Sequence, residues 1–217
     1  MPSIAPSMLS ADFLNLGKDV QMVNANADIF HLDIMDGIFV PNISYGFPVV
    51  DAVASMAEKP LDVHLMITDP AKYVRRFSSS GAAMLSFHYE AAGEKTGEIV
   101  DLVRSCGMKA GVAINPDIPV SVLFPYLPKV DFVLIMSVFA GFGGQKFIPE
   151  TYGRITAVKA EIERLGLDVK IEVDGGVSPS NAAALAAAGA DILVAGSAVF
   201  KAADPAAVIA AMRGDDV

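Results

Sequence analysis

Apolar and polar positions along the chain follow two alternating periods. Short runs rich in β-branched and aliphatic residues occur at 3–9, 29–35, 61–67, 84–90, 109–115, 132–138, 169–174 and 192–199, and segments of helical repeat occupy 13–26, 48–57, 71–80, 94–106, 150–165 and 181–188. Eight strands separated by helices predict a parallel sheet, because a crossover helix returns the chain to the end at which the previous strand began. Helix boundaries fit this order. Asp69-Pro70 and Asp204-Pro205 pair a capping residue with a first-turn proline, and Gly81, Gly107, Gly166 and Gly189 stand where helices close. The fifth crossover is the weakest, with only a short helix expected over 120–127 before Pro128. An open sheet would gather its ligand contacts at one crevice, whereas polar candidates here end strands one, two, three, six, seven and eight. The pattern therefore predicts a closed (β/α)₈ barrel forming a single domain over 1–217.

Composition narrows the function. Hydrophobic residues make up 53% of the 217 and charged residues 19%, which suits strands covered on both faces and excludes a disordered chain. The formal charge of −9 offers nucleic-acid phosphates no broad attraction, so a ligand phosphate has to be held by local donors. Cys106 is the single cysteine; it forms no internal disulfide, fits a reducing cytoplasm, and reads as a half-buried filler before Gly107. The chain opens without a basic segment and apolar core, and no apolar run reaches bilayer length, so a soluble protein with no membrane partner is expected.

The second strand carries the first chemical signal. His31, Asp33 and Met35 lie two apart and share a face, and barrel interiors are normally filled by branched aliphatic side chains. The third strand repeats the arrangement with His64 and Met66, and the seventh ends in Glu172, Val173 and Asp174 before Gly175-Gly176. Two imidazoles with carboxylates and no thiolate form a nitrogen and oxygen donor set suited to one divalent cation such as Zn²⁺, Fe²⁺, Mn²⁺ or Co²⁺. His88, which shares a stripe with Ser86 and Glu90, is expected beside this cluster, and Asp62, one layer below His64, is expected to meet a hydrogen-bond partner. Glycine-rich turns follow three strands, at Gly141-Phe142-Gly143-Gly144, Gly175-Gly176 and Gly196-Ser197, and such turns let backbone N–H groups approach a phosphate. Ser7 ends the first strand within reach of a polyol. Met35, Met66 and Met136 are adaptable packing residues that would also line the site as a water-poor cap.

The strings Ala5-Pro6-Ser7, His31-Leu32-Asp33-Ile34-Met35-Asp36-Gly37, Phe39-Val40-Pro41-Asn42, Asp62-Val63-His64-Leu65-Met66, Ile135-Met136-Ser137-Val138, Gly141-Phe142-Gly143-Gly144-Gln145 and Ile171-Glu172-Val173-Asp174-Gly175-Gly176 resemble the ribulose-phosphate 3-epimerase family, in order, over about residues 4–213. The resemblance implies an isomerase of the pentose phosphate pathway that interconverts D-ribulose 5-phosphate and D-xylulose 5-phosphate through an enediolate, with no organic cofactor. It implies metal ligation by His31, Asp33, His64 and Asp174, with Asp33 and Asp174 as the acid/base pair. It assigns substrate and phosphate contacts to Ser7, His64, Gly141, Phe142, Gly143, Gly144, Asp174, Gly175, Gly176, Gly196 and Ser197, and it suggests a homo-oligomer. Two positions depart from the family pattern: Phe139-Ala140 stands where a polar residue and proline are usual, and Ile38 replaces a frequent histidine. A 3-epimerase of a six-carbon ketose phosphate such as D-allulose 6-phosphate shares every one of these features, and a non-catalytic sugar-phosphate sensor would lack one of the four ligands. A Schiff-base aldolase would need a lysine within the barrel, but Lys109 and Lys170 fall at strand starts; an orotidine-phosphate decarboxylase would need a lysine two residues after Asp33, where Met35 stands.

Overall fold

The computed structural model of the protein describes residues 1–214. Its eight parallel strands are β1 (Ser3–Pro6), β2 (Phe30–Met35), β3 (Leu61–Met66), β4 (Ala82–His88), β5 (Lys109–Ile114), β6 (Phe132–Met136), β7 (Lys170–Asp174) and β8 (Ile192–Ala195). They hydrogen-bond in the order β1-β8-β7-β6-β5-β4-β3-β2, and a parallel bridge between Ser7 and His31 closes the seam between β1 and β2. The helices are α1 (Leu16–Asn26), α2 (Phe47–Ala54), α3 (Val74–Ser79), α4 (Tyr89–Ala92), α5 (Thr96–Ser105), α6 (Thr151–Leu165), α7 (Pro179–Ala188), α8 (Ser197–Phe200) and α9 (Pro205–Arg213). The (β/α)₈ barrel read from the sequence is the observed fold, and among the described residues no helix is long and apolar enough to cross a membrane.

The principal core lies between the strands and the helices. Leu32, Val63, Leu65, Leu85, Val112, Val133, Ile135, Ile171 and Val173 face outward from the barrel and pack against Val50, Val53, Phe77, Val100, Ile155, Val158 and Leu185. Inside, the lower layer is filled by Ile29, Met84, Phe132 and Ile192. The Phe132 ring reaches across to Gly111, where a Cβ would stand 2.4 Å from ring carbons, so the glycine is required by close approach. One device recurs at the strand starts. Asp28, Asp131 and Asp191 each precede a strand and accept the backbone N–H of its neighbour: Ile4 at 2.8 Å, Ala110 at 2.9 Å and Ile171 at 2.9 Å. These bonds satisfy donors that the parallel ladder leaves open.

Several expected boundaries move. The first strand ends at Pro6 rather than 9, because the Ser7 side chain accepts the Leu9 N–H and winds Met8–Ser10 into a 3₁₀ turn. The fourth ends at His88, and Glu90 belongs to α4. The eighth ends at Ala195, after which Gly196 turns the chain into α8; an apolar run such as Val194 to Val199 has the same composition in either conformation. The helix expected over 71–80 begins as a 3₁₀ turn (Pro70–Tyr73), and Asp69 makes no side-chain cap there, whereas Asp204 does cap α9 by accepting the Ala207 N–H. The fifth crossover holds a single 3₁₀ turn, Val120–Leu123.

Candidate active site and metal-binding cluster

Strand register assembles the site. In the β2–β3 ladder His31 pairs with Asp62, Asp33 with His64, and Met35 with Met66, and across the barrel Met136 pairs with Asp174 on β7. Because side chains alternate, these residues form stacked interior layers toward the C-terminal rim. Asp33 lies at the centre. Its Oδ1 is 3.3 Å from His31 Nε2 and 3.1 Å from His64 Nδ1, while its Oδ2 accepts the Ser7 hydroxyl at 2.5 Å. Asp174 Oδ2 lies 3.9 Å from His64 Nδ1. One atom from each of His31, Asp33, His64 and Asp174 falls within a common 4.8 Å span, so this cluster can hold a metal ion.

The donors fit a cation. His31 Nε2 is buried, faces the cluster and has no hydrogen-bond partner, whereas its Nδ1 lies 2.6 Å from Asp62 Oδ2 and 3.3 Å from Glu172 Oε1. Asp62 thereby holds the ring with one nitrogen turned inward, the usual support for a metal-ligating histidine. The electrostatics point the same way. Burial opposes ionisation of Asp33, yet nearby His31, together with His64 hydrogen-bonded to it, outweighs burial and holds its carboxyl far below the usual range. Burial, reinforced by the charge of Asp33, pushes Asp174 up to about 7, and burial with the charge of Asp62 raises Glu172 well above its ordinary value. Burial would depress His31, but Asp33 and Asp62 raise it well above the usual imidazole value, while burial lowers His64 to about 4 despite its hydrogen bond to Asp33. Four carboxylates crowded around two buried imidazoles repel one another, and a cation bound among them would relieve that repulsion.

Above the cluster opens a cleft of about 550 Å³ counted to its mouth. Ser7, Asp33, Asp174, Gly141, Phe142, Gly143, Gly144, Gly175, Gly176, Gly196, Ser197 and the three methionines Met35, Met66 and Met136 all border it. His31 and His64 do not; they lie behind it, fully buried. Sequence reasoning passed over Ser10 and Gln145, which also line the cleft. Ser10 sits one 3₁₀ turn after Ser7, and the three-residue spacing brings the two onto one side, a signal hidden by reading the segment as strand. A Cβ on Gly196 would come within 2.6 Å of Ser10 Oγ. Gly175, at φ +121°, is needed twice over, since a Cβ there would stand 2.5 Å from Val138 Cγ2.

The loop after β6 is fastened by hydrogen bonds. The Ala140 N–H donates to Asn115 Oδ1 at 2.9 Å, the Asn42 amide to Gly141 O at 3.1 Å, and the Gln145 amide to Phe139 O at 2.7 Å and Phe142 O at 2.9 Å. A proline at 140 would have no N–H to give Asn115. Ile38 is 77% exposed and makes no part of the cleft lining. His88 stands beside the cluster, its Nε2 2.9 Å from His64 Nε2.

Comparison with known proteins gives this geometry a lineage. Among solved structures, KGPDC from Streptococcus mutans superposes with a TM-score of 0.72 at 14% identity, covering 99% of this chain and 97% of that one. A tryptophan synthase alpha-subunit mutant from Pyrococcus furiosus reaches 0.70 at 17%, covering 98% of each; both likenesses concern the fold alone. Sequence relatives are closer. A ribulose-phosphate 3-epimerase from Synechocystis is 48% identical over 212 residues, covering 97% of this chain and 92% of that protein. The Escherichia coli K12 enzyme of the same name is 43% identical, covering 98% and 95%, and the one described as the cytoplasmic isoform from Oryza sativa is 43% identical, covering 97% and 92%. The profile of the ribulose-phosphate 3 epimerase family matches residues 3–200, a span that contains His31, His64, Asp33, Asp174 and every glycine turn of the cleft. With profile, relatives and site in agreement, the chain belongs to the ribulose-phosphate 3 epimerase family.

Proposed function

We propose that the cleft epimerises D-ribulose 5-phosphate and D-xylulose 5-phosphate at C3, with Asp33 and Asp174 exchanging the proton on opposite faces of the substrate and His31, Asp33, His64 and Asp174 holding one divalent cation. The observation that carries this reading is the division of the cluster: its two carboxylates border the cleft and its two imidazoles do not. Only Asp33 and Asp174 can therefore both meet the cation and touch a ligand. Without a cation, His31 and His64 hold Asp33 ionised while burial raises Asp174 to about 7, so a cation that both carboxylates ligate displaces the Asp174 proton near neutral pH. β2 and β7 are separated in the barrel by β1 and β8, which allows the two carboxylates to approach from different sides.

A cation such as Zn²⁺, Fe²⁺, Mn²⁺ or Co²⁺ bound there supplies Lewis-acid stabilisation of the negative charge that develops on the enediolate oxygens. Ser7 orders Asp33 through the 2.5 Å hydrogen bond to its Oδ2 and offers the same hydroxyl to the sugar. Met35, Met66 and Met136, each at most 5% exposed, surround the reacting carbons with apolar atoms and keep water from the carbanionic centre. The phosphate is received by the turns at Gly141–Gly144, Gly175–Gly176 and Gly196-Ser197. Among the described residues no lysine or arginine borders the cleft, so backbone N–H groups carry that contact, and a Schiff-base mechanism has no amine to use. No organic cofactor is needed. The relative named as a cytoplasmic isoform supports a cytoplasmic location, and the exposed Leu14, Ile38 and Ile43 support a homo-oligomer.

The test offers D-ribulose 5-phosphate and D-allulose 6-phosphate in deuterated water to metal-loaded and chelator-treated protein, following deuterium at C3. Metal-dependent uptake into the pentose phosphate is expected. Preferential uptake into the hexose phosphate would reassign the substrate, and uptake into neither would leave a binding protein.

A further inference from the structure

The two ring nitrogens of His64 have different surroundings. Nδ1 faces the cluster, 3.1 Å from Asp33 Oδ1 and 3.9 Å from Asp174 Oδ2, while Nε2 points away and lies 2.9 Å from His88 Nε2. Both rings are fully buried, with centroids 5.1 Å apart and planes at 25°. The far nitrogen of His88, Nδ1, is 3.5 Å from Glu90 Oε1, and that oxygen accepts the Asn115 N–H at 3.0 Å and the Asn115 side-chain amide at 2.8 Å. Asn115 is in turn tied by its Oδ1 to Ala140 in the loop bordering the cleft, and its backbone oxygen accepts Arg154 at 2.8 Å.

Two buried nitrogens at hydrogen-bond distance cannot both carry hydrogen, nor both present lone pairs, without one being left unpaired. Hydrogen positions along the chain are therefore set from one end. Granting the metal reading above, His64 gives its Nδ1 lone pair to the cation, so its one hydrogen resides on Nε2 and donates to His88 Nε2. His88 must then keep its own hydrogen on Nδ1, directed at Glu90. We propose that His88 is a positioning residue that selects the metal-binding tautomer of His64, and that Glu90, anchored by Asn115, selects the tautomer of His88. The relay joins a metal ligand to the substrate loop through side chains that touch neither metal nor substrate.

Zinc affinity by chelator competition, measured without substrate on wild type, His88→Phe and His88→Gln, tests the relay, together with ¹⁵N-histidine NMR of the zinc-loaded protein. His88→Phe keeps a ring against Phe39, 4.9 Å away between centroids, but removes the acceptor, and should weaken zinc binding by about 10–100-fold. His88→Gln restores an acceptor oxygen at the Nε2 position and should bind close to wild type. In the wild-type spectrum His88 should be protonated on Nδ1 and bare on Nε2. Wild-type affinity in His88→Phe, or a hydrogen on His88 Nε2 in the loaded protein, would overturn the proposal; should His88→Phe not fold, the spectrum and the Gln variant decide. Zinc binding with this tautomer but no epimerisation would instead sink the proposed activity and leave the relay standing.

Discussion

Replacing Asp174 by Asn should damage activity and, in chelator, stabilise the fold at neutral pH. The carboxyl of Asp174 sits at about 7 in the folded protein against 3.8 in an unfolded chain, raised by burial and by the charge of Asp33. The folded state thus holds this proton longer, so the contribution is full below 3.8 and is lost as pH rises through about 7. At about 1.4 kcal/mol per pH unit the gap sets a ceiling of about 4 kcal/mol. The side chain is 17% exposed at the cleft, and partial solvation reduces the expected value to about 2 kcal/mol. For a chain of this size that corresponds to about 4–8 °C in Tm. Thermal unfolding by circular dichroism, with chelator at pH 4.5 and pH 8, should show wild type and Asp174→Asn close together in acid and the variant more stable in base. Zinc should stabilise wild type more than the variant, and the variant's kcat should be lower by about 10²–10⁴-fold. A gap in Tm independent of pH, or a variant less stable at pH 8, would refute the argument that this carboxylate is ionised at a cost until a cation arrives.

Three further outcomes follow from geometry elsewhere. Gly111→Ala places a methyl 2.4 Å from the Phe132 ring and should destabilise by about 1–3 kcal/mol in urea titrations, with Phe132→Leu in the same chain recovering part of the loss. Asp131→Ala removes the acceptor of the Ala110 N–H at the end of the barrel remote from the cleft, and should lower stability by about 1–2 kcal/mol while kcat/KM stays at the wild-type value. Measured with the cation saturating, so that the lost Glu90 contact does not limit loading, Asn115→Ala releases the Ala140 N–H and KM for the ketose phosphate should rise more than kcat falls; an unchanged KM would show that the loop is held by its other hydrogen bonds.

The sequence by itself determined the architecture and the identity of the central residues. Eight runs of strand period with helices between them admit few topologies, and a period of two forces His31, Asp33 and Met35 to one face whatever surrounds them. Family motifs then supplied the expected ligand set. Tertiary structure alone decided how those residues meet. Asp33 pairs with His64 across 31 positions of chain because closure of the barrel sets the register between strands, and no local pattern encodes that register. The same closure places Asp62 and Glu172 against His31 and turns one nitrogen of each histidine inward, choices that depend on three-dimensional neighbours. Strand ends were equally invisible: Ser10 and α8 reach the cleft because single hydrogen bonds and one glycine bend apolar segments out of the sheet, and composition is the same on either side of such a bend.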